Sequence, residues 1–451
     1  MPTAYRQYNS TFRITHWLVI LSLVFSSFDI ALILDLGGVS FRLSQIFQFF
    51  IIISGFIFTA LSSRNFSTPL AFGWLSIWGF FIIIWTGNTY HLEFSIGQTL
   101  FFIFSCALYF SLVQIYTANP TYVKHLFKSY IISFVTVSLF GLFQFFMGIF
   151  GFDLLVAQWW IKGIFPRING FSFEPSYFST YLMSGWGILV WLIERHAYIF
   201  PRYIMFTFFT IITLAIILSS SRMAWAILIL YAIFYVVRNI IVTFKRKKID
   251  RSFIIAGIII LALLFTIPFI FRVQINWEQF RFLFFGTGMF GTAAGSSVIR
   301  LGTLDQTVAL FLDSPVKGYS IGGIASYLSI ETGLPPGEAT GMNVTLEVLA
   351  ASGVIGFPFF VLFLWKIFSS CFVKSSNRTL ADECLASLGV GLALIFIILQ
   401  FNQSIMRLYF WNNVFMIGIL YQSVRHPLAD SNLLKYRPHL GSARPRSSLQ
   451  I

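Results

Sequence analysis

The sequence predicts an all-α integral membrane protein of about twelve transmembrane helices. Three observations predict it. Of 451 residues, 57% are hydrophobic and only 10% charged, whereas soluble domains carry about 25% charged residues. The apolar residues fall into runs near the ~20 residues that cross a bilayer. Lys and Arg crowd some connections and are sparse in others, the asymmetry that fixes orientation.

In order, the runs are 15–35, 41–61, 68–87, 95–116, 128–150, 175–194, 203–219, 223–242, 253–271, 344–368, 383–402 and 408–423. The first is too long and too polar at its flanks for a cleavable signal, and no small-residue cleavage site follows it, so it reads as an anchor. Residues 1–271 thus hold spans one to nine, 272–343 a large outer loop, 344–423 spans ten to twelve, and 424–451 a basic tail. The densest basic cluster, Lys245, Arg246, Lys247, Lys248 and Arg251, assigns its side to the cytoplasm. An even span count then places both termini there. Nine cations fall on the translocated side: Arg42, Lys162, Arg167, Arg222, Arg272, Arg281, Arg300, Lys317 and Arg407. Most carboxylates share that face, among them Glu93, Asp153, Glu174, Asp305, Glu338 and Glu347.

The formal charge of +14 would suggest nucleic acid in a soluble chain. Membrane topology accounts for it here, and no nucleic-acid partner is expected. Cys106, Cys371 and Cys384 show no paired spacing. No GxxxxGK[ST] motif supports ATP-driven transport, and no Asp-x-Asp supports a metal-held sugar nucleotide. Of six histidines only His91 falls outside, too few for a metal site or triad. No cofactor or metal is expected.

Within the large loop, Leu301, Leu304, Val308 and Phe311 recur at helical spacing beside Asp305 and Gln306, predicting an amphipathic helix on the membrane surface. Trp277, Phe280 and Phe284 suggest a second interfacial stretch, and Gly333-Leu334-Pro335-Pro336-Gly337 an irregular, mobile connection. Arg222 follows Ser219-Ser220-Ser221 in a turn too short for a linker. Arg167 and Glu174 precede span six, with Pro175 suited to its first turn. Glu174 therefore sits at a helix N-terminus that favours an anion, as base or as helix cap. Asn343 reads as the cap of span ten, and Glu347, a turn further on, as an arginine partner holding the loop.

Taken in order, Arg167-x-x-Gly170-x-x-x-Glu174-Pro175-Ser176, Ser221-Arg222-x-x-Trp225, Arg300, Pro315-x-x-Gly318-Tyr319-Ser320-x-Gly322, and Asn343 with Leu346-Glu347 and Gly353-Val354-Ile355-Gly356 resemble the bacterial O-antigen polymerase and O-antigen ligase family over roughly 160–365. The resemblance implies a GT-C-type glycosyltransferase with one long periplasmic loop in the bacterial inner membrane. It would act on undecaprenyl-pyrophosphate-linked glycans without a metal, with a chain-length regulator as a partner. Ligases of the family carry His-Asn where this chain has Met342-Asn343, and Met342 cannot accept a proton, so the repeat-unit polymerase is the better match and the ligase joining glycan to lipid A core the alternative. The resemblance places pyrophosphate-contacting arginines at Arg222 and Arg300, with Arg167 and Arg281 as second choices. Glu174 is the expected general base, raised in pKa by the membrane border, and Glu338 its competitor. A lipid-linked oligosaccharide flippase or secondary transporter is the reading of another class. It is disfavoured because the charges gather at one border and no broken helix or repeated half is evident.

Overall fold

A computed structural model describes residues 2–28, 30, 33–36, 39–61, 66–161, 165–246, 294–333, 343–372, 379–402 and 404–425. The chain forms α1 (Pro2–Val24), a 3-10 turn (Phe25–Ser27), a hairpin of β1 (Ile33–Leu36) and β2 (Val39–Arg42), α2 (Leu43–Leu61), α3 (Phe72–Trp85), α4 (Leu92–Ala118) and α5 (Val123–Ile149). A second hairpin follows, β3 (Gln158–Ile161) and β4 (Phe165–Arg167), then α6 (Pro175–Glu194), α7 (Arg202–Ser219) and α8 (Arg222–Arg246). The remainder is α9 (Ala294–Asp313), α10 (Ser320–Thr332), α11 (Val344–Cys371), α12 (Leu380–Asn402) and α13 (Leu408–Arg425). Among the described residues six helices, α2, α4, α5, α7, α11 and α12, are long and apolar enough to cross a membrane. The protein is a helical, multi-pass membrane protein.

Every predicted apolar run coincides with a helix except 253–271, which lies outside the described residues. Two expectations need correction. The first run ends as helix at Ser27, and its last residues form β1 instead, paired in register with β2 from Ile33↔Arg42 to Leu36↔Val39. A short apolar run has no period that separates strand from helix. Residues 151–174 hold the β3–β4 hairpin. Within 272–343, α9 is the expected helix, but its packed face is Thr303, Thr307 and Leu310, with Val308 exposed. That stripe lies against α10 and α11, so burial against protein replaces the apolar face expected toward lipid. Residues 277–284 and 334–337 lie outside the described residues.

α6 is the axis of the bundle. Its most extensive packing is against α12, and it also meets α5, α7 and α8. Close approach depends on small residues: a Cβ at Gly185 would stand 2.4 Å from Phe134, and one at Gly187 2.6 Å from Leu394. Asn413 Nδ2 donates to Ser184 Oγ at 2.6 Å. Tyr181, Leu182, Met183, Ile188 and Leu189 are fully buried around this contact. The N-terminus of α6 is thereby carried by a helix packed on several sides.

The connections sort into two ends. At one, Ser172 Oγ donates to Ser27 O at 3.2 Å, Ile30 N to Phe171 O at 3.0 Å, and Asn88 Nδ2 to Gly318 O at 2.8 Å. At the other, Gln114 Nε2 donates to Ser67 O at 2.6 Å, Gln422 Nε2 to Thr68 O at 2.7 Å and Trp191 Nε1 to Glu383 Oε2 at 2.9 Å. These groupings follow the alternation expected of successive spans.

α11 is interrupted, against expectation. Gly353 stands at φ 62°, ψ −177°, a region essentially restricted to glycine. The backbone groups freed there are taken by the segment before α10: Val354 N donates to Pro315 O at 2.8 Å and Tyr319 N to Ala350 O at 2.9 Å. Irregular backbone within a span is stable only when so satisfied.

Candidate functional site

The site is built at the end of the bundle that carries the N-terminus of α6. Glu174 adopts an extended conformation and Pro175 opens the helix, because proline has no N–H to leave orphaned at that position. The Glu174 carboxylate does not cap the helix. It accepts instead from Ser176 Oγ at 2.8 Å, which corrects the capping alternative and leaves the carboxylate half-exposed at the mouth.

Arg167 ends β4, where its partner across the hairpin is Gln158. Its Nη1 donates to Gln158 Oε1 at 2.6 Å and its Nη2 to Ser220 O at 3.2 Å. Nε is buried without a protein acceptor. Ser220, left-handed at φ 56°, closes α7, so α8 begins two residues later with Arg222 in its first turn. Trp225 fixes that turn by donating Nε1 to Ile217 O at 3.0 Å, which gives the Ser-Arg-x-x-Trp spacing a local cause. Arg222 thus adds a full positive charge to a helix end that already carries a partial one.

Arg222 and Glu174 each lie within electrostatic reach of Arg167. Burial, then the Arg222 charge, lowers the pKa of the Arg167 guanidinium, and Glu174 acts in the opposite sense. A guanidinium stays protonated nonetheless, so Arg167 keeps its charge in a largely buried place beside a second cation, where an anion would be attracted to both.

Of the other predicted residues, Arg300 lies on α9 with its side chain outside the described residues. Arg281 and Glu338 also lie outside them. The structure therefore brings together Arg167, Arg222 and Glu174 from the predicted set. Asn343 caps α11 as expected, its Oδ1 accepting from Leu346 N at 2.9 Å.

Two further groups were missed or undervalued from sequence. Glu347, buried in the first turn of α11, accepts from Ser404 Oγ at 2.7 Å and Ile405 N at 3.3 Å. It thereby fixes the turn that presents Arg407, whose guanidinium lies 3.7 Å from the ring centroid of Tyr177. Tyr177 is in the first turn of α6, so a third arginine reaches the same mouth. The loop-holding role expected of Glu347 is met through a serine and a backbone amide, with the charge of Arg407 also acting on it.

Gln144, buried on α5, is the second. Its Oε1 accepts from Asn169 N and Gly170 N, both at 3.0 Å, and its Nε2 donates to Leu154 O and Leu155 O, both at 2.9 Å. One side chain thus pins both arms of the segment carrying Arg167 and Glu174. Gln144→Leu leaves two buried N–H groups unpaired, at about 1–3 kcal/mol each. It is expected to lower the unfolding free energy by about 2–5 kcal/mol, read as a lowered Tm in detergent. An unchanged Tm would mean that the segment is held by other contacts.

The arrangement can grip an anion between guanidiniums and offer a carboxylate beside it. Among the described residues no cluster of His, Cys, Asp and Glu is arranged to hold a metal ion. No protein-family model, curated protein or solved structure matches the chain.

Proposed function

We propose that the protein is an O-antigen or exopolysaccharide repeat-unit polymerase of the bacterial inner membrane, with about twelve spans in a GT-C-type arrangement. It transfers a growing glycan from undecaprenyl pyrophosphate to a lipid-linked acceptor repeat unit on the periplasmic side. The observation that carries the reading is the convergence of Arg167, Arg222 and Glu174, three residues of the motifs that resemble the polymerase and ligase family. In this mechanism the acceptor hydroxyl gives its proton to Glu174, its oxygen attacks the anomeric carbon, and the carbon–oxygen bond to pyrophosphate breaks. Arg222 and Arg167 stabilise the charge that develops on the leaving diphosphate, with planar forks suited to its oxygens. Arg300 completes the clamp, and no metal is called on.

One observation favours a transporter as the second reading: the interruption of α11 at Gly353 resembles the discontinuous helices that transporters use at their substrate sites. Purified enzyme given a lipid-linked repeat unit in detergent separates the two. The polymerase is expected to yield a ladder of lengthened lipid-linked glycans where no sides exist. Unlengthened substrate in detergent, together with its movement across the bilayer of reconstituted vesicles, would replace the polymerase with the transporter.

A further inference from the structure

A second charged site stands at the opposite end of the bundle, where α6 ends against α8. A cavity of about 330 Å³ is lined by Trp191, Glu194, Arg195, Phe234 and Arg238. Both oxygens of Glu194 are engaged, Oε2 by Arg238 at 3.1 Å and Oε1 by Tyr231 OH at 2.7 Å. Arg238 therefore answers the Glu194 charge, and Arg195 forms no ion pair among the described residues. Its guanidinium lies 4.7 Å from the Trp191 ring centroid, a stacking that leaves the in-plane N–H groups at the edge for an acceptor. Glu383 takes the Trp191 indole N–H, and Lys124 acts on that same helix end.

Arg238 is sixteen residues along α8 from Arg222, about 24 Å at 1.5 Å per residue, close to the ~30 Å thickness of the hydrocarbon core. The cavity is therefore at the second headgroup level. On the membrane side of Arg238, Leu230, Ile233, Phe234 and Val237 recur at helical spacing and are 65, 55, 60 and 48% exposed. The cavity is thus continuous, through Phe234, with an apolar track pointing toward the bilayer midplane.

We infer that this cavity binds an anionic phospholipid, its headgroup phosphate held by Arg195 and Arg238 and one acyl chain lying along the exposed face of α8. Basic pockets between membrane helices suit such headgroups, and Trp belongs at this level. The inference is independent of the chemistry proposed at the other end.

Delipidated protein titrated with phosphatidylglycerol or phosphatidylcholine of matched chains, followed by native mass spectrometry, tests it. Wild-type protein is expected to prefer phosphatidylglycerol, and Arg195→Ala to weaken that binding about fivefold, the effect of one basic residue at an anionic surface, with phosphatidylcholine unchanged. Arg195→Lys is expected to restore part of the loss. Because Arg195 is exposed, an unaltered Tm is expected for both variants. Equal retention of the two lipids, or no effect of Arg195→Ala, would overturn the site. Inorganic phosphate binding as tightly as phosphatidylglycerol would make it a free-anion site and overturn the lipid assignment.

Discussion

Arg222→Lys is expected to reduce the kcat of glycan elongation by about 10²–10³-fold, the loss typical when one preorganised donor to a developing charge is removed. Lysine keeps the charge but not the planar fork, so the substitution isolates bidentate recognition of the diphosphate from simple attraction. Position 222 suits this test. It lies in the first turn of α8, with the turn secured by Ser220 and by the Trp225 bond to Ile217. Arg167→Lys is less clean, because its Nη1 and Nη2 bonds to Gln158 and Ser220 also hold the β3–β4 hairpin to α7. That variant is expected to lose stability along with activity. Were Arg222 merely reaching for headgroup phosphates, as long basic side chains do at membrane borders, Arg222→Lys would elongate glycan at the wild-type rate. A chelator is expected to leave the wild-type rate unchanged, and a loss restored by magnesium or manganese would refute the metal-free scheme.

The bundle was legible because a bilayer imposes a length and an apolarity on each span, and eighteen or more such residues are hard to mistake for anything else. The hairpins were not. In 33–36 and 158–161 the apolar residues are too few to show a period, and pairing with a neighbour makes them strands. The break in α11 was marked by Gly353, yet a glycine in an apolar run is common in membrane helices. What requires it is the backbone of 315–319 packed against it, which lies across the sequence. At the site, Arg167, Glu174 and Arg222 could be read because they are charged where charge is costly. Arg407 had the same signal, but its contact with the Tyr177 ring joins α6 to the start of α13. Gln144 gave no signal at all, being a neutral amide whose importance comes from four backbone partners on another segment.

Glu174→Gln is expected to lower kcat by about 10²–10⁴-fold, the usual contribution of a general base, while leaving the fold intact. The carboxylate makes no capping bond to the α6 backbone, and the amide oxygen of glutamine can still accept from Ser176 Oγ. The substitution therefore removes the basic function and the negative charge and little else. Those two losses separate in the kinetics. Removing the charge beside Arg167 and Arg222 leaves two guanidiniums less neutralised, so the anionic donor should bind no worse, and its KM should hold or fall as kcat drops. A Glu174 that served only as counter-charge to Arg167 would give another pattern: kcat within a few-fold of wild type and a lowered Tm, because the repulsion between the arginines would no longer be offset. Glu338→Gln supplies the complementary arm. With Glu174 as the base it should be nearly silent, whereas a large loss of kcat there and none at Glu174 would move proton transfer to the outer loop and leave Glu174 as the electrostatic partner of the arginine pair.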